Sequence, residues 1–321
     1  MAPNARAALI ALLAFALFAT HDAIVKALGA DYASFQIVFF SVLFGFPLVT
    51  LTLINDPAPG HLRPIHPWWV ALRTIAAVTT AASAFYAFST IELAQVYAII
   101  FAAPMLITVL SIPILGERVG PRRWIAVIVG LAGVMVVLQP GATELSAGHL
   151  AALAAAVSSA LASVISRKIG PEERSVVLVL YPMLANFAIM GALMGEVYTP
   201  MPMGDLALNA AIAALGFGGA MLLVVAYKTG EAAVVAPMQY SQILWATLYG
   251  AVFFEEVPGL ATLLGAGIII ASGVYIVARE SLSGRSRARP VSSTRTRHLI
   301  GTAPRIGALM RRPRKGPEDA S

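Results

Sequence analysis

The 321-residue chain has no cysteine. That excludes disulfides, thiolate nucleophiles and Cys-based metal sites, and leaves the redox compartment open. Charge is also scarce. Asp, Glu, Lys and Arg together make up 12% of the residues, about half the share found in a soluble domain. So few charges cannot cover a water-facing surface. With 59% hydrophobic residues and a mean hydropathy of +0.81, lipid is the expected solvent for much of the chain. Histidine is sparse too. His61, His66 and His298 fall in loop or tail, His149 at a helix end, and only His21 within an apolar segment. There is no His-Glu-x-x-His and no Gly-rich phosphate loop, so neither a metal nor a nucleotide cofactor is expected and ATP does not drive the protein directly. A membrane-embedded enzyme, the alternative class, needs a paired nucleophile and base or metal ligands at one depth, and these residues do not supply them.

The net charge of +6 suggests nucleic acid until its distribution is read. Residues 1–279 hold 12 Lys/Arg against 13 Asp/Glu, whereas residues 280–321 hold 10 against 3. The excess basicity is confined to a Ser-, Arg-, Pro- and Gly-rich tail, expected to be disordered and to rest on anionic lipid headgroups. No folded reader module accompanies it, so nucleic acid is not an expected partner.

Ten segments are long and apolar enough to span a bilayer, near 6–28, 33–54, 68–89, 94–115, 122–139, 148–168, 175–195, 205–227, 232–254 and 259–279. With the N-terminus cytoplasmic, Arg6, Arg63, Arg118, Arg122, Arg123, Arg167, Lys168, Arg174, Lys228, Arg279 and the tail fall inside, and only Lys26 falls outside. The positive-inside rule therefore gives an N-in, C-in topology.

Sliding the chain by 139 residues aligns Glu92 with Glu231, Ala94 with Ala233, Thr108 with Thr247, Glu117 with Glu256 and Gly120 with Gly259. A shift of 141 aligns Ala11 with Ala152, Ile24 with Ile165, Lys26 with Arg167 and Gly29 with Gly170. Chance matching of apolar runs is the alternative; the Glu and Gly landmarks at helix ends favour a repeat. The first segment, which could pass for a signal peptide, then belongs to the bundle. Two five-span halves, 6–139 and 148–279, insert in opposite orientations, as in many secondary transporters with a midplane site. The fold class expected is an all-α integral membrane bundle of ten helices in two inverted five-helix repeats.

The chain resembles the drug/metabolite transporter superfamily, specifically its EamA-type ten-helix members. The features that carry the resemblance are Asp22 to Lys26 at the end of the first helix, Pro104 followed by Leu115-Gly116-Glu117, and Val137-Leu138-Gln139-Pro140. In the second half they are Ala236-Pro237 and Glu255-Glu256, where Phe254-Glu255-Glu256 departs from the usual Leu-Gly-Glu. The segment Ala236-Pro237-Met238-Gln239-Tyr240 looks like the branch that includes S-adenosylmethionine and riboflavin transporters. The resemblance implies carrier-mediated movement of a small organic solute across a bacterial inner membrane.

An ionisable group inside a span costs about 3 kcal/mol by insertion scales and is a functional candidate by default. Asp22 and Lys26 lie four apart and can pair. His21 and Asp22 are read either as a proton-linked or substrate site or as an interfacial ion-pair region, and Lys26 as snorkelling outward. Arg73 lies about 8 Å past Trp68 at 1.5 Å per residue and is expected to snorkel to the headgroups. Glu117 and Glu256 read as capping and packing elements. Gln239, Tyr240, Gln242, Trp245 and Tyr249 cluster in the ninth segment, with Gln242, Trp245 and Tyr249 on one face. Such a face can stack on a flat ring and hydrogen-bond its edge, although interhelical hydrogen bonds would also account for the glutamines. Tyr97, Phe101 and Met105 of the fourth segment are expected to face the same cavity, with Gln36, Tyr181 and Asn186 as secondary candidates. Pro104, Pro113, Pro182 and Pro237 can kink their helices, and the hydroxyls of Ser159, Ser163 and Ser166 can bond back to their own helix.

The expected cargo is a flat, partly aromatic metabolite such as S-adenosylmethionine or riboflavin, with an amino acid or amino-acid metabolite as the alternative. A multidrug exporter with a membrane-centred Glu is disfavoured, because no Glu lies mid-span. The expected surroundings are the inner-membrane bilayer, and a monomer or a homodimer is compatible with the sequence.

Overall fold

A computed structural model describes residues 3–54, 62–117, 119–139, 145–195 and 197–282. His61, Arg118, Glu144, Glu196 and the basic tail past residue 282 lie outside the described residues. The described chain is helical, without strands. The helices are α1 (Pro3–Leu28), α2 (Ser34–Ile54), α3 (Pro67–Thr90), α4 (Leu93–Ile100), α5 (Ala103–Leu115), α6 (Pro121–Leu138), α7 (Ala147–Ile169), α8 (Ser175–Met194), α9 (Met203–Thr229), α10 (Ala232–Val235), α11 (Ser241–Phe253) and α12 (Leu260–Leu282), with a 3-10 turn at Ala236–Tyr240 between α10 and α11. Among the described residues, eight stretches are long and apolar enough to cross a membrane, counting Leu93–Leu115 as one. The ninth expected segment is interrupted by the 3-10 turn. The tenth expected segment corresponds to α12.

The fourth and ninth segments are broken rather than continuous, and proline explains both breaks. Pro104 and Pro237 lack the N–H that would bond four residues back, and their rings crowd the carbonyl there. The chain answers with a turn at Phe101-Ala102 and with the 3-10 turn at 236–240. Pro47, Pro113 and Pro182 sit inside uninterrupted helices, so proline alone does not break a span here.

Packing follows small residues. α1 lies along α9, α3 along α7, α6 along α12, and α2 against α8. Under the 139-residue offset α1 corresponds to α7, α3 to α9, α2 to α8 and α6 to α12. The first two contacts then exchange and the last two map onto themselves. A Cβ added at Gly219 would lie 3.1 Å from the carbonyl oxygen of Ala14, so α9 reaches α1 backbone to backbone, as its small residues predict. The contact is tighter still at Gly265, where a Cβ would lie 2.7 Å from the Gly133 carbonyl oxygen. The α7 hydroxyls bond back as expected, Ser159 to Ala156, Ser163 to Ser159 and Ser166 to Ala162, at 3.0, 2.7 and 2.6 Å. At one end of the bundle the Tyr32 hydroxyl donates to Asp205 at 2.5 Å. That bond pushes the phenol up to about 12, so it remains a donor at neutral pH.

The helix-end charges do more than cap. Lys26 pairs with Glu256 at 2.7 Å and donates to the Ile91 carbonyl at 2.7 Å. The other carboxylate oxygen of Glu256 accepts the Leu93 N–H at 3.2 Å, at the start of α4. Arg167 pairs in the same way with Glu117. Lys26 and Arg167 are partners under the 141 offset, and Glu117 and Glu256 under the 139 offset. The two ion pairs are therefore counterparts, and each joins the first half of the chain to the second. Asp22 and Lys26, which their spacing allows to pair, do not, and Lys26 does not snorkel outward as expected, because Glu256 and the Ile91 carbonyl hold it. The pairs are mostly buried, with side-chain exposures of 11–22%. Truncating one partner strands the other charge, so Glu117→Ala or Arg167→Ala alone should each cost about 3 kcal/mol. The double variant should lose clearly less than the sum. Thermal unfolding of the four proteins in detergent reads this, and strictly additive losses would remove the coupling.

Candidate functional site

α1, α4 and α11 bring four of the expected residues into one buried network. His21 and Asp22, 2% and 1% exposed, lie in the last third of α1. The His21 Nδ1 is 2.7 Å from one Asp22 carboxylate oxygen. The Tyr97 hydroxyl, from α4, donates to the other. Gln242, at the start of α11 and fully buried, donates through Nε2 to the Tyr97 oxygen at 3.3 Å. Its own carbonyl oxygen is buried without a hydrogen-bond partner among the described residues. Burying a carboxylate costs several kcal/mol. The two contacts to Asp22 offset part of that, being of the charge-assisted kind.

Rings surround the network. Phe88 and Phe101 flank Tyr97 with centroids 5.5 and 5.8 Å away. Phe101 meets Tyr240 edge-on at 5.1 Å. These last two residues are partners under the 139 offset and stand at the two helix breaks, so the breaks meet each other. Tyr240 is buried and its hydroxyl has no partner among the described residues. Trp245 and Tyr249 are half-buried one step further along, with rings 6.1 Å apart. The Tyr249 hydroxyl lies 2.9 Å from that of Thr20 on α1. Gln239 is half-buried in the 3-10 turn. Met105, expected beside Tyr97 and Phe101 on one cavity, instead fills the space over Gly130 of α6, where a Cβ would lie 2.5 Å from its methyl carbon.

A narrow cleft lies among α2, α3, α8 and α9. Arg73, Ala77, Ala81 and Phe85 line it at four-residue intervals, one face of α3, over about 18 Å at 1.5 Å per residue. Val38, Val42, Gly45 and Val49 face them from α2, Asn186 from α8 and Phe217 from α9. None of Gln239, Tyr240, Gln242, Trp245, Tyr249, Tyr97, Phe101, Asp22 and His21 lines this cavity. The network adjoins one end of it through Phe85, whose ring meets His21 edge-on at 5.8 Å.

Arg73 departs from its expected role. It is 8% exposed and does not snorkel. Its Nε donates to Ser166 at 2.6 Å and its Nη1 to the Leu178 carbonyl. Two acceptors on α7 and α8 thus hold the guanidinium inside the bundle. Gln36, a secondary candidate, is structural: its amide takes both the carbonyl and the N–H of Thr199, at 2.5 and 2.9 Å. Tyr181 donates to the Leu62 carbonyl at 3.3 Å, away from the cavity. Asn186 does line the cavity. It bonds Pro182 through Nδ2 at 3.0 Å and leaves its carbonyl oxygen without a partner among the described residues. The periodic stripe Arg73, Ala77, Ala81, Phe85 was the signal available in the sequence. A cation heading a row of small residues marks a groove rather than a lipid face.

The description "EamA-like transporter family" matches this chain twice, over residues 5–139 and 146–278. The chain is 25% identical over 269 residues to the "S-adenosylmethionine uptake transporter" of Rickettsia bellii, covering 84% of this chain and 92% of that one. It is 26% identical over 250 residues to the "Riboflavin transporter" of Rhizobium johnstonii, covering 78% and 82%. A solved crystal structure at 20% identity superposes with a TM-score of 0.57, over 88% of this chain and 99% of its own.

Proposed function

Because the chain belongs to the EamA-like transporter family, and is thus a multi-pass membrane transporter and not an enzyme, we propose that it carries a small, partly aromatic metabolite by alternating access between two inverted five-span halves, 6–139 and 148–279. The observation that carries this reading is the meeting of the two broken segments, Phe101 against Tyr240, beside the buried network that holds Asp22, which in turn reaches the cavity through Phe85. Helix breaks free backbone groups and allow bending, and in transporters they concentrate where the solute binds. The matched ion pairs, and the way contacts exchange under one offset, support the inverted repeat. Ten spans with both termini inside, in a bacterial inner membrane with the basic tail on anionic lipid, complete the proposal.

On this topology the His21–Asp22–Tyr97–Gln242 network closes the outer end, and the cavity opens inward from Phe85 to Arg73. The solute binds along the cavity beneath the network, with Phe85 and Phe217 as ring contacts. Tyr240, Trp245 and Tyr249 line the path when the outer side opens. S-adenosylmethionine and riboflavin, the solutes named for the two relatives, are the first candidates. Purified protein in sealed liposomes preloaded with unlabelled solute should accumulate the labelled form by counterflow. Absence of counterflow across both compounds and a panel of amino acids and nucleosides would reject the reading.

A further inference from the structure

We propose that Arg73 forms an anion subsite at one end of the cavity, which takes a carboxylate or phosphate group of the transported solute. This rests on the reading of the cavity as the solute path.

A guanidinium carries five N–H donors. Two are used, by Ser166 and by the Leu178 carbonyl. Among the described residues no Asp or Glu oxygen lies within 4.0 Å of Arg73. Glu173, the buried acid in the α7–α8 turn, is engaged by the His66 backbone N–H at 2.6 Å. Arg73 is thus a buried cation without an anion among the described residues, which proteins rarely keep. Arg73 borders the cavity, it has N–H groups beyond the two engaged ones, and the guanidinium fork suits a bidentate carboxylate or phosphate.

The repeat supplies an independent argument. Lys26 and Arg167 correspond to each other, as do Glu117 and Glu256, and these four serve the scaffold. Under either offset Arg73 falls on Ile212 or Ala214. Its charge occurs in one half only, so it is not part of the duplicated framework.

The cavity also sets the rest of the solute. Asn186 lines the cavity, is 8% exposed and holds a buried carbonyl oxygen without a hydrogen-bond partner among the described residues, eight residues beyond Leu178 on α8, or about 12 Å at 1.5 Å per residue. Between the two polar ends the lining is apolar, with Val42, Ala77 and Met183. The fitting solute has an anionic group at one end, an apolar or aromatic body, and an N–H or O–H donor about 12 Å away.

Purified protein reconstituted in nanodiscs of zwitterionic phosphatidylcholine tests this with 3-phenylpropionate as probe, against 3-phenylpropionamide at matched ionic strength. The carboxylate should raise Tm by about 5 °C at a hundred times Kd, and the amide should not. Arg73→Gln should weaken the carboxylate response at least tenfold, and Arg73→Lys should restore part of it. Ala77→Asp, one turn along the same stripe, should pair with Arg73, abolish the response and leave the protein as stable as the wild type. A merely structural arginine predicts instead that the Ala77→Asp variant is destabilised by its buried carboxylate.

No response to the carboxylate, or an equal response in Arg73→Gln, overturns the proposal. A response only to phosphatidylglycerol in the disc also overturns it, by assigning the site to an anionic lipid headgroup. Counterflow of uncharged riboflavin separates the two readings. If it persists in Arg73→Gln while anion binding is absent from the wild type, the transporter stands and the anion subsite fails.

Discussion

Asp22→Asn is expected to leave the unfolding temperature within a few degrees of the wild type and to reduce counterflow about a hundredfold. The amide keeps the shape of the carboxylate and avoids the cost of burying a charge. It also replaces two charge-assisted hydrogen bonds, worth about 1.5–3 kcal/mol each, with neutral ones worth about 1. In the structure these opposing terms nearly cancel, which is why stability should change little. Transport is different, because the network joins α1 to α4 and α11 and has to part whenever the outer side opens. A group whose partners change between two states biases their populations by its differential interaction, and about 2.7 kcal/mol is a factor of a hundred. Tyr97→Phe removes one donor to Asp22 and should reduce counterflow by a smaller factor. If Asp22→Asn transports at the wild-type rate, the carboxylate is a static pin between helices and has no part in the cycle.

Gly265→Leu should prevent recovery of a monodisperse protein, and Gly265→Ala should lower Tm by about 5 °C or more. Even the alanine Cβ would lie 2.5 Å from a Val137 methyl, 2.7 Å from the Gly133 carbonyl oxygen and 3.0 Å from the Val137 nitrogen. The last two are backbone atoms, so no rotamer change relieves them. The helices α6 and α12 have to separate, and packing along their whole contact loosens. Overfilling of this kind costs about 1–3 kcal/mol in cores that can still adjust. Gly267, two residues on, has nothing within 4 Å of its would-be Cβ. Gly267→Ala is therefore the matched control and should be neutral or slightly stabilising. Thermal unfolding followed by light scattering distinguishes the three variants, and an unchanged Tm for Gly265→Ala would disprove the tight crossing.

Much of the fold was legible because lipid imposes strong rules. Apolar length located the helices, and the spacing of Glu117 and Glu256 and of Lys26 and Arg167 marked residues that turn out to form matching ion pairs. Those pairs were not themselves foreseen. An i, i+4 spacing made Asp22 the obvious partner for Lys26, but spacing along one helix says nothing about a carboxylate 230 residues away. The breaks were half legible: proline locates where a helix can fail, yet Pro113 and Pro182 are accommodated while Pro104 and Pro237 are not. The network was legible as a set of costly polar residues. The cavity was not. Its polar lining is limited to Arg73 and Asn186, and depth in one helix does not fix the direction of Arg73. Whether a cation five residues into a span turns outward or inward is decided by its acceptors, Ser166 and Leu178, which belong to other helices.

The pairing of α1 with α9 has a consequence during synthesis. Ala7, Ala11 and Phe15 pack with Ala226 and Val235, so their partners leave the ribosome more than 200 residues later. At roughly 5–20 residues per second, α1 waits on the order of ten seconds or longer for the surface it is shaped to meet. Throughout that time Asp22 sits in a helix whose neighbours are incomplete. A slower ribosome lengthens the interval before α1 can meet its partner, and with it the exposure of a face that only a late helix covers.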